Sequence, residues 1–252
     1  MKIVEKGSGE AELVVVGSVH GDEPAGKKAI NRLLEEDHEF HKPVKFIIAN
    51  EKALEKQVRY TEADLNSSFP GEPDSDMYEE RLAAKITQHT KDQKVIDLHT
   101  TKSTEEPFVN VKNLEEETKE MVRDTGVNNA VCFPEDSGVL IETAAKAVLV
   151  ETGPQGTEKA AQKSLNVLKN FLTCQDVIDG ECQRSDPEFF RHFDTVEGDW
   201  IFEAENFVKV EQGEVYASRG DEKLEAETKF YPVLMSTNGY NGKLGYKAEK
   251  VS

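Results

Sequence analysis

Three early apolar runs each end in a side chain that can bind a metal or move a proton. Leu13–Val16 leads through Gly17-Ser18-Val19 into His20-Gly21-Asp22-Glu23, Val95–Leu98 leads into His99, and Ala147–Val150 into Glu151. Two ligands three residues apart, joined by a distant third, form the usual half-chelate plus anchor of a catalytic zinc site. Two imidazole nitrogens and one carboxylate then hold the ion in three tetrahedral positions and leave the fourth for water. His20, Glu23 and His99 supply that donor set, which also suits cobalt or manganese. The His20-x-x-Glu23 pair alone is compatible with a solvated turn; Gly17, Gly21 and Pro24 favour a tight loop instead, and His99 follows a buried strand. Glu151 closes an apolar strand before the rigid turn Thr152-Gly153-Pro154-Gln155-Gly156. A carboxylate there is partly desolvated, which raises its pKa towards the range useful for general acid–base catalysis. The plainer alternative is that it caps the next helix or pairs with a lysine.

These residues need a scaffold that brings them together. Short apolar runs (Leu13–Val16, Val44–Ala49, Val95–Leu98, Val131–Phe133, Ala147–Val150) alternate with helix-period segments, the pattern of an α/β protein with helices packed on a sheet. In open sheets of this kind the ligand site lies beyond the carboxyl ends of the strands. A helix is predicted over Pro24–Glu36, with Asp22 as cap and Ala29, Ile30, Leu33 and Leu34 as its apolar stripe. Asp76–His89 and Thr157–Leu172 repeat the logic, and Asn113–Arg123 reads as a charged, exposed helix that stops near Gly126. After Cys174 aromatic and β-branched residues recur between Gly-containing turns, so residues 1–180 form the expected catalytic α/β domain and residues 181–252 a small C-terminal β domain.

With 49 Asp plus Glu against 31 Lys plus Arg in 252 residues, the formal net charge is −18. That repels polyanions, so nucleic acid and anionic membrane are excluded as expected partners and a small-molecule substrate is favoured. The same acidity suits a salt-tolerant surface. Cys132, Cys174 and Cys182 show no paired spacing. All three are expected free, as in a reducing cytoplasm. The N-terminus carries no signal-like apolar region, and no run approaches the roughly 18 apolar residues of a membrane span. The expectation is a soluble cytoplasmic protein; the oligomeric state is not indicated.

Four stretches in order add a resemblance: His20-Gly21-Asp22-Glu23-Pro24; Arg59-Tyr60 with Ala63-Asp64-Leu65-Asn66 and Phe69-Pro70-Gly71; Asp97-Leu98-His99-Thr100; and Val150-Glu151-Thr152-Gly153-Pro154-Gln155. Their order and spacing resemble the succinylglutamate desuccinylase/aspartoacylase family, zinc hydrolases related to M14 carboxypeptidases. The resemblance implies a mixed sheet with helices on both faces, one Zn²⁺ per chain on His20, Glu23 and His99, and Glu151 as general base and then acid towards the leaving amine. It implies that Arg59 polarises the scissile carbonyl, that Asn66 binds substrate, and that Tyr240 reaches the site from the C-terminal domain. The residues themselves leave Arg59 an ion pair with Glu55 or Glu62, and Asn66 an Asx turn. Asp64 and Asp97 are candidate partners of the metal-bound histidines. His38, His41, His89 and His192 have no comparable setting and read as exposed or structural.

One departure bears on substrate. Where the family continues with an arginine that clamps a carboxylate, Asn66 is followed here by Ser67-Ser68, and no arginine lies between Arg123 and Glu151. The expected function is a zinc-dependent deacylase that cleaves the amide of an N-acyl amino acid less acidic than those of the best-known relatives. A metallocarboxypeptidase and a non-catalytic metal- or ligand-binding relative are the alternatives.

Overall fold

The chain folds as an α/β protein whose β-sheet carries helices on both faces. The computed structural model describes residues 1–133, 138–237, 239 and 242–251. In chain order the elements begin β1 (Lys2–Lys6), β2 (Leu13–Gly17), α1 (Ala25–Glu35), β3 (Val44–Ile48), α2 (Glu51–Lys56), α3 (Tyr78–Thr90) and β4 (Lys94–Thr101). They continue β5 (Phe108–Val111), α4 (Glu116–Thr125), β6 (Asn129–Cys132), β7 (Lys146–Pro154) and α5 (Glu158–Cys174). The remainder is all β: β8 (Glu188–Glu197), β9 (Ile201–Phe202), β10 (Val215–Arg219), β11 (Glu222–Glu225), β12 (Tyr231–Val233) and β13 (Lys243–Val251).

Among the described residues the main sheet has ten strands in the order β1-β3-β2-β4-β7-β5-β6-β8-β13-β12. β2 pairs in parallel with β3 and β4, and β4 with β7, whereas β5 runs antiparallel to β7, so the sheet is mixed. Successive side chains of a strand face opposite ways, and each face found its own core. Val15, Ile96 and Val148 pack under Ile30 and Leu33 of α1, Met121 and Val122 of α4, and Leu168 and Phe171 of α5. Val14, Val16, Val95 and Leu149 pack on the other side under Leu82, Ala83 and Ile86 of α3. Strands covered on both faces read as continuous apolar runs, which is why β2 is buried throughout.

The C-terminal segment serves two structures. β9, β10 and β11 form a small antiparallel sheet around Tyr216, Phe230 and Met235. β8 pairs in parallel with β6, and β13 and β12 follow it, so the main sheet runs on into residues beyond 180.

Three expectations are corrected. Cys174 and Cys182 form a disulfide across a separation of eight residues, and Cys132 is a buried thiol outside any disulfide, its Sγ donating to the Lys112 carbonyl at 3.3 Å. The end of α5 and the returning chain meet there, a proximity that the spacing does not signal, and the argument from free thiols to a reducing compartment loses its basis. Asp22 does not cap α1: the cap position is Pro24, and the Lys27 N–H donates instead to the Ser18 hydroxyl at 3.2 Å. α4 is not merely an exposed charged helix, because Thr118, Met121, Val122, Asp124 and Thr125 are buried; it does stop at Gly126, in the left-handed region at φ 73°. No helix among the described residues is long and apolar enough to cross a membrane.

Candidate metal centre and active site

β2, β4 and β7 are adjacent and parallel; at their carboxyl ends Gly17 pairs with Leu98, and one residue further on His99 and Glu151 pair directly across the strands. The turn after β2 supplies the other candidate ligands. Ser18 sits at φ 60°, its hydroxyl donating to the Glu23 carbonyl at 3.0 Å, which folds the turn back on itself. Gly21 is required by close approach: a Cβ there would lie 2.1 Å from the Ala53 carbonyl carbon. Its N–H donates to the Arg59 carbonyl at 3.1 Å, tying the arginine's loop to this turn.

His20, Glu23 and His99 are buried, and one ligand atom from each lies within 4.8 Å of the others. Glu23 joins the cluster: its Oε1 is 2.8 Å from His20 Nδ1, and its Oε2 is 3.6 Å from His99 Nδ1 and accepts the Thr100 N–H at 2.8 Å. The remaining ring nitrogens are held from behind, His99 Nε2 by Asp97 Oδ2 at 2.9 Å and His20 Nε2 by Asp64 Oδ1 at 3.1 Å. Such outer carboxylates orient metal-binding imidazoles and raise their basicity. The arrangement fits a divalent cation, because two nitrogens and a carboxylate converge with their tautomers already fixed.

The electrostatics follow from burial opposed by pairing. Burial works against a charged His99, yet Asp97, Glu23 and Glu151 around it raise its pKa to about 10. His20 is raised in the same way, burial being outweighed by hydrogen bonds to Asp64 and Glu23. Burial would raise Glu23, but the two histidines hold it down at about 2. Glu151 goes the other way: burial, with Glu23 adding, pushes it up to about 8 against the pull of His99. Its Oε2 is sealed from solvent without a hydrogen-bond partner, so it neither caps α5 nor pairs with a lysine.

Arg59 does not pair with Glu55 or Glu62. Its Nε donates to Asp64 Oδ2 at 2.9 Å and its Nη1 to Glu23 Oε1 at 3.4 Å, which aims it at the cluster. The loop that carries it is organised by Glu79, a fully buried residue in the first turn of α3 that accepts from the N–H groups of Thr61, Glu62 and Ala63, the Thr61 hydroxyl and the Asn50 amide. Nothing in the sequence pattern marks that glutamate. Asn66 follows on a short 3-10 turn, Leu65–Ser67, where its N–H donates to Asp64 and its side-chain Oδ1 is buried without a partner.

His20, Glu23, His99, Arg59, Asn66 and Glu151 thus line one cavity of about 370 Å³, together with Lys102 and Gly239. Tyr240 lies outside the described residues. A second cavity of about 500 Å³ adjoins the first and shares Asn66 and Glu151 with it. Sequence reasoning missed its lining: Asn110, Phe133, Leu149, His192 and Tyr246 come from five strands or strand ends of the sheet. His192, expected to be exposed or structural, is among them.

Comparisons with known proteins bear on the family and the fold. The succinylglutamate desuccinylase/aspartoacylase catalytic domain matches residues 10–174. A Xenopus tropicalis protein named N-acyl-aromatic-L-amino acid amidohydrolase (carboxylate-forming) is 28% identical over 233 residues, covering 82% of this chain and 74% of its own. The solved succinylglutamate desuccinylase/aspartoacylase of Rhodobacter sphaeroides superposes with a TM-score of 0.79 at 17% identity, covering 99% of this chain and 88% of that one. Murine aminoacylase 3 gives 0.73 at 17% identity, covering 98% and 97%.

Proposed function

The chain belongs to the succinylglutamate desuccinylase/aspartoacylase family, and on that premise we propose that it is a zinc-dependent amidohydrolase that cleaves the amide bond of an N-acyl amino acid. The observation that carries this reading is the unpartnered Oε2 of Glu151 in the same cavity as the His20, Glu23, His99 cluster. A zinc ion on those three residues would supply a Lewis acid that brings the pKa of water down to about 7.

The chain's own groups account for the rest. Glu151, which burial raises above the ordinary carboxylate range, takes the proton of the attacking water and returns it to the leaving nitrogen. The Arg59 guanidinium offers positive charge to the carbonyl oxygen as it becomes an oxyanion. Asn66 presents an acceptor to the amide N–H of the substrate. Lys102 lies in the same cavity with no ion pair among the described residues, and supplies the cation for the amino-acid carboxylate in place of the arginine missing after Asn66. A single flexible ammonium gives weaker grip than a bidentate arginine, in keeping with a substrate that bears one carboxylate rather than two.

The frog relatives named as N-acyl-aromatic-L-amino acid amidohydrolases support this class of substrate. The test is a panel of N-acyl amino acids, dicarboxylic and aromatic, with short peptides beside them, presented to zinc-loaded protein. Release of free amino acid from monocarboxylic N-acyl compounds is expected. Inactivity on the whole panel overturns the deacylase reading, and cleavage of peptides alone replaces it with a carboxypeptidase.

A further inference from the structure

The second cavity carries more than a wall. Phe133, His192 and Tyr246 form a triangle of rings, with centroids 5.1–5.2 Å apart in each pair, and none of the three lines the cavity of His20, Glu23 and His99. Val139, Ile141 and Leu149 add aliphatic surface. Among these stands Asn110 of β5, which is 8% exposed and whose Oδ1 has no hydrogen-bond partner. Asn110 pairs across the strands with Leu149, two residues before Glu151 on β7, so the amide and the proton-transfer carboxylate share one face of the sheet.

A buried carbonyl oxygen without a donor is costly, and a natural protein keeps one when something else completes it. The chain places an asparagine, not an aliphatic residue, at a position whose neighbours Phe108 and Val131 are core. A cavity of about 500 Å³ is of the size that holds an organic ring system, and rings set edge-on or tilted to one another accept a further ring in the same manner.

Resting on the function proposed above, we propose that Asn110 is a specificity-determining residue. Its Oδ1 accepts a hydrogen bond from an uncharged planar ring that carries an N–H or O–H donor and projects from the scissile amide into the cavity of Phe133, His192 and Tyr246. The ring stacks or packs edge-on in the triangle; the donor satisfies Asn110; the amide lies where the cavities meet, at Asn66 and Glu151. An indole or a phenol meets these requirements, while a phenyl ring fills the space and leaves Asn110 unpartnered.

Binding tests this without turnover. Indole and benzothiophene, alike in shape and different in the donor, are titrated into the parent protein and Asn110→Leu by ligand-observed NMR. The indole-to-benzothiophene affinity ratio is expected to fall about tenfold in Asn110→Leu. In Phe133→Leu both affinities fall and the ratio stays. Equal loss of both ligands in Asn110→Leu, or an unchanged ratio, overturns the proposal. Should Asn110→Leu fail to fold, ¹⁵N-labelled parent protein decides: saturating indole shifts the Asn110 side-chain amide resonance, and an unmoved resonance overturns the assignment. Hydrolysis of N-acetyltryptophan against N-(indole-3-acetyl)glycine then tells which side of the amide carries the ring. A fall of about tenfold in the ratio in Asn110→Leu with no hydrolysis refutes the deacylase reading and leaves the Asn110 assignment standing; hydrolysis with an unchanged ratio does the reverse.

Discussion

Asp97 Oδ2 lies 2.9 Å from His99 Nε2, two residues along the same buried strand, and the pair leaves His99 Nδ1 turned towards Glu23. The strand alternates faces, so a carboxylate at that position shares the histidine's side of the sheet and cannot be supplied from a flexible loop.

Asp97→Asn keeps the shape and removes the charge that fixes this imidazole. Zinc affinity is expected to fall about 10–100-fold, measured by competition with a chromogenic chelator. His20→Ala is expected to abolish stoichiometric binding. An Asp97→Asn protein that holds zinc as tightly as the parent would show that Asp97 is only a buried strand residue.

Glu151→Gln preserves volume and leaves the three-residue cluster intact. It is expected to bind zinc normally and to lose kcat by about 10²–10⁴-fold. Metal analysis and steady-state kinetics on one preparation separate the two effects. Parental turnover in this variant would remove Glu151 from the proton transfers.

The metal-free protein should lose stability as pH rises from about 5 to 9. Glu151 goes from an ordinary 4.5 to about 8 on folding, so the native chain keeps a proton that the unfolded chain has released, and that stabilisation disappears as pH passes through 8. His99 goes from 6.5 to about 10 and has the same sign over the higher window. Glu23, held at about 2, acts oppositely and only below 4.5. Melting temperatures in chelator should therefore decline across this range, with a shallower decline between pH 5 and 8 in Glu151→Gln. A melting temperature that climbs with pH there contradicts the assignment.

Glu79 binds no substrate, yet it holds residues 61–63 and through them Arg59 and Asp64. Glu79→Ala leaves the Asn50 amide without this acceptor and frees the loop. A loss of about 2 kcal/mol in urea unfolding is expected, with kcat/KM reduced more than zinc content. Unchanged kinetics in a destabilised protein would confine Glu79 to stability.

The Cys174–Cys182 bond predicts one titratable thiol in non-reducing denaturant, Cys132, and three after reduction. Closing so short a loop stabilises by about 2–3 kcal/mol, the amount that Cys174→Ser with Cys182→Ser should cost. Three thiols without reductant would show that the bond does not form.

Much of the centre was legible because its residues terminate apolar strands. Leu13–Val16, Val95–Leu98 and Ala147–Val150 announce themselves by composition, and parallel neighbours bring their carboxyl ends to one edge, so His20, Glu23, His99 and Glu151 were identifiable before any coordinate. What depends on one residue meeting another far along the chain was not legible. β1 and β5 carry too little periodicity to stand out, and the proximity of Cys174 to Cys182 is set by how the chain returns after α5. Glu79 and Asn110 are single polar residues in otherwise ordinary segments; only packing shows that one orders the Arg59 loop and that the other faces a cavity beside Glu151. Local pattern determined the candidate ligands and the strands that carry them, because both follow from side-chain type and period. The tertiary fold decided the partners of those ligands and the shape of the space beside them, because burial and hydrogen-bond geometry belong to pairs of residues and not to either one.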